Sequence, residues 1–386
     1  MLELLFLLLP IAAAYGWYMG RRSIRQGQQQ KAQAMSRDYF TGLNYLLSND
    51  ADKAVDLFIN LLEVDDETID THMALGALFR RRGEVERSIR IHQNLIARPS
   101  LTVEQRDLAM LELGKDYHAA GFYDRAEEIF VNLISQSEHV DEAETQLLDI
   151  YQITKDWQKA IDVVARFNRS TRKRYKPLLA HFYCQLAEEE TEPKVKLAKL
   201  KSAVKQDAKC GRAWLQKAEL ELEQGSYTDC QQSLEQLLQA DVNLFSEALP
   251  VVKECFERLN NPQGHTQMLQ TAVGKEAGAS VVLALAQRVL EEESQADAER
   301  LILQHLMQHP TLKGFHRLMK FHLAQAEDGK AKDSLSMLEK LVQQQIRVRP
   351  GYRCHECGFP GHSLHWQCPS CKQWGSMKPV IGLDGE

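Results

Sequence analysis

The chain is poor in the residues that break helices. It holds 21 glycines and 11 prolines in 386 residues, well below the average combined share of about 12%, which leaves too little turn material for an all-β protein. It also lacks a basic excess. With 47 Lys+Arg against 53 Asp+Glu the formal net charge is −6, so bulk nucleic-acid binding is a poor first reading and no nucleic acid is expected as partner. No G-x-x-x-x-G-K-[ST] loop, G-x-S-x-G elbow or H-E-x-x-H helix is present, and nothing in the pattern points to an enzyme. At 44% hydrophobic and 26% charged residues the composition is globular, neither disordered nor that of a multi-span membrane protein.

The few breakers are unevenly placed. Ten of them fall between Pro350 and Glu386, which sets a boundary near Pro350. The eight cysteines divide the same way. Cys184, Cys210, Cys230 and Cys255 stand singly, read as small apolar residues on helices, whereas Cys354, Cys357, Cys368 and Cys371 crowd together.

Leu2 to Gly20 carries one charge, Glu3, and as a helix would reach roughly 28 Å, close to the hydrocarbon thickness of about 30 Å. Ala12-Ala13-Ala14 resembles a signal-peptidase site. The charges run the wrong way for that, because Arg21, Arg22 and Arg25 follow the apolar run rather than precede it. By the positive-inside rule this predicts a single-span membrane anchor with the bulk of the chain in the cytoplasm. Ala12, Gly16 and Gly20 form a small-residue stripe on which another span, or a second copy in a homo-oligomer, could pack.

From about residue 35 the chain repeats. Gly42, Tyr45, Ala54 and Phe58 are followed 34 residues later by Gly76, Phe79, Ser88 and His92. Leu113, Gly114, Tyr117, Ala126 and Phe130 come next, after an insertion near Pro99, and then Tyr151, Ala160 and Val164. Looser units follow near 177, 211, 245 and 279, with a last one ending around Leu338 and Leu341. Pro250 must occupy a first-turn position to be tolerated. A 34-residue period with small residues where two amphipathic helices meet resembles the tetratricopeptide family. The resemblance implies an all-α superhelix of about nine helical pairs whose first helices line a concave groove.

On that reading Asp70, Met73, Ala77 and Arg80, then Leu108, Leu111, Lys115 and His118, face the groove. Arg80, Arg81, Lys115 and His118 are therefore the candidate partner-binding patch, suited to an acidic segment or a carboxylate. A second run, Arg166, Arg169, Arg172, Lys173, Arg174 and Lys176, reads as a solvated loop between units, with anionic lipid as the alternative. His305 and His309 share a helix face but have no third ligand in view and read as structural.

In the tail, Cys354-x2-Cys357 and Cys368-x2-Cys371 supply four thiolates as two knuckles around one metal ion, zinc preferred over iron. The cytoplasmic placement argues against disulfides. Tyr352-x-Cys354-x2-Cys357-Gly358-Phe359 and Trp366-x-Cys368-Pro369-x-Cys371 resemble the rubredoxin knuckles. Gly358 fits the turn after the second ligand, where φ is often positive. The ten-residue spacer between knuckles is much shorter than in free rubredoxins.

Together these features divide the chain into an anchor (1–20), a juxtamembrane linker (21–34), a repeat solenoid (35–346) and a rubredoxin-like metal-binding domain (347–386). In that order they resemble the lipopolysaccharide assembly protein B family of Gram-negative bacteria. The resemblance implies a non-enzymatic inner-membrane adaptor regulating lipopolysaccharide synthesis. Its implied partners are a membrane-anchored AAA+ protease, the lipid A-pathway deacetylase presented to it, and an inner-membrane lipopolysaccharide sensor. A redox-active rubredoxin-like module on a scaffold and a zinc-ribbon RNA-binding regulator are the alternatives.

Overall fold

The computed structural model describes residues 69–99, 101–136, 139–292 and 294–386, with scattered positions among the first 68. Most of the expected anchor, the linker and most of the first repeat, including Ala54 and Phe58, lie outside the described residues. Among those described, no helix is long and apolar enough to cross a membrane. The chain forms two compact units, Met1–Lys155 and Asp156–Glu386.

The first unit is a run of antiparallel helices: α1 (Ile69–Arg81), α2 (Val85–Ile96), α3 (Val103–Ala119), α4 (Tyr123–Gln136) and α5 (Val140–Thr154). Its repeat signature has a steric cause. A Cβ on Gly76 would lie 2.4 Å from the His92 ring, and one on Gly114 would lie 2.6 Å from Phe130. The missing side chain on the first helix of each pair is the space filled by the large ring on the second. The insertion near Pro99 delivers Leu101 into a cluster with Ile69, Met73, Leu95 and Ala109, and Thr102 then starts α3 with a reciprocal capping box to Gln105.

Two expectations for the groove stripe need correcting. Met73 and Leu111 are buried, Leu111 completely, because each faces a neighbouring helix instead of the open side.

In the second unit the helices are α6 (Trp157–Arg166), α7 (Arg169–Glu189), α8 (Pro193–Gln206), α9 (Gly211–Glu223) and α10 (Tyr227–Ala240). A 3-10 turn, Val242–Ala248, precedes α11 (Leu249–Arg258), α12 (Pro262–Gly274), α13 (Gly278–Glu292), α14 (Gln295–Gln308), α15 (Leu312–Gln325) and α16 (Lys330–Val348). Pro250 sits in the first turn of α11, where its missing N–H costs no helix bond. The helix expected around 245 is accordingly split into the 3-10 turn and α11. The basic run is not a loop: Arg169 to Lys176 make the first two turns of α7. The single cysteines are not isolated either. Cys184 and Cys210 share one buried cluster and Cys230 and Cys255 another, and all four are buried. The last helix, α16, has no buried residue. Met337, Leu338 and Leu341 are exposed, so the final repeat ends the solenoid with an apolar face toward solvent.

After α16 come three short strands, β1 (Tyr352–Cys354), β2 (Pro360–Gly361) and β3 (Met377–Pro379). They pair antiparallel in the order β2-β1-β3, with Tyr352 opposite both Gly361 and Pro379 and Cys354 opposite Met377.

Candidate metal centre

The sheet is too small to hold itself. Its own buried cluster is Cys354, Cys368 and Met377, so two of the three core residues are sulfur ligands. The two knuckles share one backbone geometry: Gly358 N–H donates to Cys354 O, and Lys372 N–H to Cys368 O, both at 3.0 Å. Gly358 has φ +76° and Lys372 φ +60°. The sequence flags the first by its glycine. The second, with a lysine in the left-handed region, is legible only by counting one residue past the second cysteine of each pair.

The four Sγ atoms lie within 4.8 Å of one another. Cys354 and Cys371 are 3.7 Å apart, as are Cys357 and Cys368. Disulfide sulfurs would stand at about 2.05 Å. A tetrahedral thiolate site with metal–sulfur bonds of about 2.3 Å has edges of about 3.8 Å, so the residues fit a four-coordinate ion. The surroundings favour thiolates. The Ser376 hydroxyl, 3.3 Å from Cys354 Sγ, and backbone amides behind it bring that thiol down to about 6. The Phe359 amide lowers Cys357. Cys371 is pushed up to about 12, against the Gln373 amide, because three sulfurs crowd it. Four such ligands close the coordination sphere and leave no position for a substrate.

The solenoid completes what the tail lacks. Trp374 stacks on His181 at 5.3 Å and meets Trp157 and Phe182 edge-on at 5.7 and 6.2 Å. The fully buried Arg212 guanidinium lies 5.3 Å from the Trp366 ring and 5.8 Å from Trp374, and is paired to Glu188 at 2.7 Å. Leu364 and Trp366 join the core around α9 to α13. Polar contacts fix the register: the Tyr352 hydroxyl donates to Glu247 at 2.5 Å, and Lys378 pairs with Asp241. Burial and the Glu247 carboxylate push the Tyr352 phenol up. At the far end the Glu386 carboxylate accepts from Ser280 N at 2.8 Å and Ser280 Oγ at 2.7 Å and pairs with Lys313. Burial, together with Arg212 and Lys378, brings the His181 imidazole down to about 3, so it is neutral against Trp374. Of the lysines near the cysteines, Lys378 therefore serves the dock rather than the sulfur cluster.

The expected basic patch has a different character. Arg80 pairs with Glu112 and, at 2.7 Å, with the buried Asp116. Lys115 pairs with Glu112 at 2.7 Å and Glu142 at 2.6 Å, and His118 lies 3.5 Å from Asp149. Asp116 is also met by Ser88 Oγ at 2.6 Å and His92 Nδ1 at 2.5 Å, so it ties α1 and α2 to α3. Burial opposes charge on Arg80, yet Asp116 and Glu112 raise its pKa. Glu112 is lowered and Lys115 raised by these same contacts. Arg80, Lys115 and His118 are thus brought together in a charge-balanced network, while Arg81 is exposed beside it. The acidic partners Glu112, Glu142 and Asp149 are what the sequence reading missed. Glu112 lies three residues before Lys115, so a check of helical neighbours would have found it.

A family profile described as "Rubredoxin metal binding domain" matches residues 352–379. Over its whole length the chain is 45% identical to all of "Lipopolysaccharide assembly protein B" of Escherichia coli (strain K12). It is 41% identical, over 98% of both chains, to the protein of that name from Haemophilus influenzae. Among solved structures, the nearly identical TPR-like repeats of a Podosopora anserina kinesin light chain cover 45% of this chain, and 95% of that chain is matched, at 18% identity and a TM-score of 0.30.

Proposed function

The chain belongs to the lipopolysaccharide assembly protein B family, and on that footing we propose that it is a non-enzymatic inner-membrane adaptor in lipopolysaccharide assembly. In this reading it holds the lipid A-committing deacetylase where a membrane-anchored AAA+ protease can take it, and an inner-membrane lipopolysaccharide sensor restrains it. The observation that carries the reading is the tail dock. A closed four-sulfur site is built into a solenoid through Trp374, His181 and Arg212, which suits bracing a protein-binding scaffold and offers no place for turnover. When bound, zinc would supply tetrahedral cross-linking of the two knuckles. The sulfurs of Cys354 and Cys357, pre-set toward the thiolate, would hold it, and the buried dock would keep water from the ring stack.

Crosslinking in intact membranes tests this. Recovery of a membrane protease and a lipid A enzyme with the whole chain, and neither with a chain beginning after Arg25, is the expected result; recovery of neither with both chains sinks it. For the groove, Arg81→Glu is the informative change because Arg81 is exposed, whereas Arg80→Glu with Lys115→Glu also breaks the network. Loss of capture with Arg81→Glu at unchanged melting temperature is expected if the patch meets a partner.

One observation favours the redox reading: Cys357 is exposed, so an iron site there would have a solvent-facing edge for electron exchange. Zinc in the purified protein, with no reversible potential, dismisses it.

A further inference from the structure

We infer that the amino-terminal face of α7 is a docking surface for an anionic lipid bilayer. Arg166, Arg169, Arg172, Lys173, Arg174 and Lys176 lie within eleven residues that contain no carboxylate. All six are exposed. In helical projection Arg169, Arg172, Lys173 and Lys176 stand at i, i+3, i+4 and i+7, one stripe about 10 Å long.

Three features mark this stripe. First, no hydrogen bond or ion pair holds any of the six side chains among the described residues. Elsewhere Arg212 pairs with Glu188, Arg258 with Glu254 and Arg288 with Glu291. The nearest preceding carboxylate, Asp162, accepts from Gln158 instead. Second, the charges sit at the wrong end of their helix. Cations in a first turn oppose the helix dipole, and Arg169–Lys173 and Arg172–Lys176 repel at i,i+4, while the acids Glu188 and Glu189 lie at the opposite end. The helix end is already capped by Asn168, which accepts from Thr171 N–H at 2.9 Å, so local structure needs none of these charges. Third, the paired helix α8 brings five more lysines and no acid. The arrangement lowers the stability of the isolated fold, and a surface of negative charge relieves it.

A bilayer suits the stripe better than a folded acidic partner. Long cations left unfixed on one exposed helix face match mobile phosphates, whereas a specific carboxylate site presents donors in a set geometry.

The test uses the intact chain and an amine-acetylating reagent, with modification of Lys173 and Lys176 read by mass spectrometry against exposed Lys253. Vesicles of phosphatidylcholine with one-third phosphatidylglycerol are expected to slow modification of both lysines by about fivefold or more, and 0.5 M salt to abolish the effect. Phosphatidylcholine alone should give no protection. Arg169→Gln with Arg172→Gln, two solvent-facing changes, should cut the protection severalfold at unchanged melting temperature. Equal modification in both vesicle types overturns the inference. So does equal protection by inorganic phosphate, which would make the ligand a free anion, or protection by polyglutamate but not by vesicles, which would make it an acidic polypeptide. Undiminished protection in the double variant also overturns it.

Discussion

The repeats and the tail solve the same problem with different materials. In the repeats each pair of helices is closed by a small residue facing a large one, Gly76 against His92 and Gly114 against Phe130, and apolar surface supplies the stability. The apolar core of the tail itself is only Cys354, Cys368 and Met377. A segment of that size does not support a core, so it relies on a metal ion inside and on borrowed aromatic surface outside. One region is stable because it repeats; the other is stable only where it is bound. The contrast can be broken from either side.

The largest effect is expected from the metal. Metal binding contributes about 10–16 kcal/mol to the folding of comparable zinc peptides. Chelation, or Cys368→Ser, should therefore unfold residues 352–379, detach Trp374 from His181 and leave the helices in place. Tryptophan fluorescence should change while far-ultraviolet circular dichroism barely moves; a helical signal lost in parallel would show that the solenoid depends on its tail. On the other side, Phe130→Ala should cost about 3–5 kcal/mol, the range for a large aromatic emptied from a closed core. Urea unfolding measures it. A cost below about 1 kcal/mol would mean that the Gly114 gap collapses, and that the small-against-large rule is not what holds the repeat.

The two regions also differ in how they are written in the sequence. Periodicity exposes Gly76, Gly114, Ala126 and Phe130 because each repeat states the rule again, and the four cysteines expose the metal site because their spacing is the ligand geometry. The dock has no such redundancy. Trp157, His181, Arg212 and Trp374 come from three helices and a strand-rich tail, and no period relates them. The same blindness misplaced Met73 and Leu111: a position count tells which way a side chain leaves its helix but not whether a neighbouring helix covers it. It also hid the shared packing of Cys184 with Cys210 and of Cys230 with Cys255, where the spacings of 26 and 25 residues fall between the repeat length and the helix length.

The dock itself provides the smallest and most specific test. His181 is brought down to about 3 by burial, with Arg212 and Lys378 adding to it, so the docked state holds it neutral. A detached tail exposes the ring and returns it toward its ordinary value near 6.5. Between those values the detached state binds the extra proton, so docking is strongest above pH 6.5 and weakens as pH falls. Each pH unit below 6.5 should cost about 1.4 kcal/mol, or tenfold in the docking equilibrium. Hydrogen exchange across residues 366–379, followed from pH 7.5 to 5.5 with exchange rates corrected for intrinsic pH dependence, would report it. Cysteine protonation acts in the same direction, since metal affinity falls as the thiolates take up protons and metal release also frees the tail. His181→Gln separates the two, because glutamine carries no proton in this range. The variant should keep the metal-linked loss and flatten the remainder; an identical slope in both proteins would assign the whole acid sensitivity to the sulfur site and none to the ring beneath Trp374.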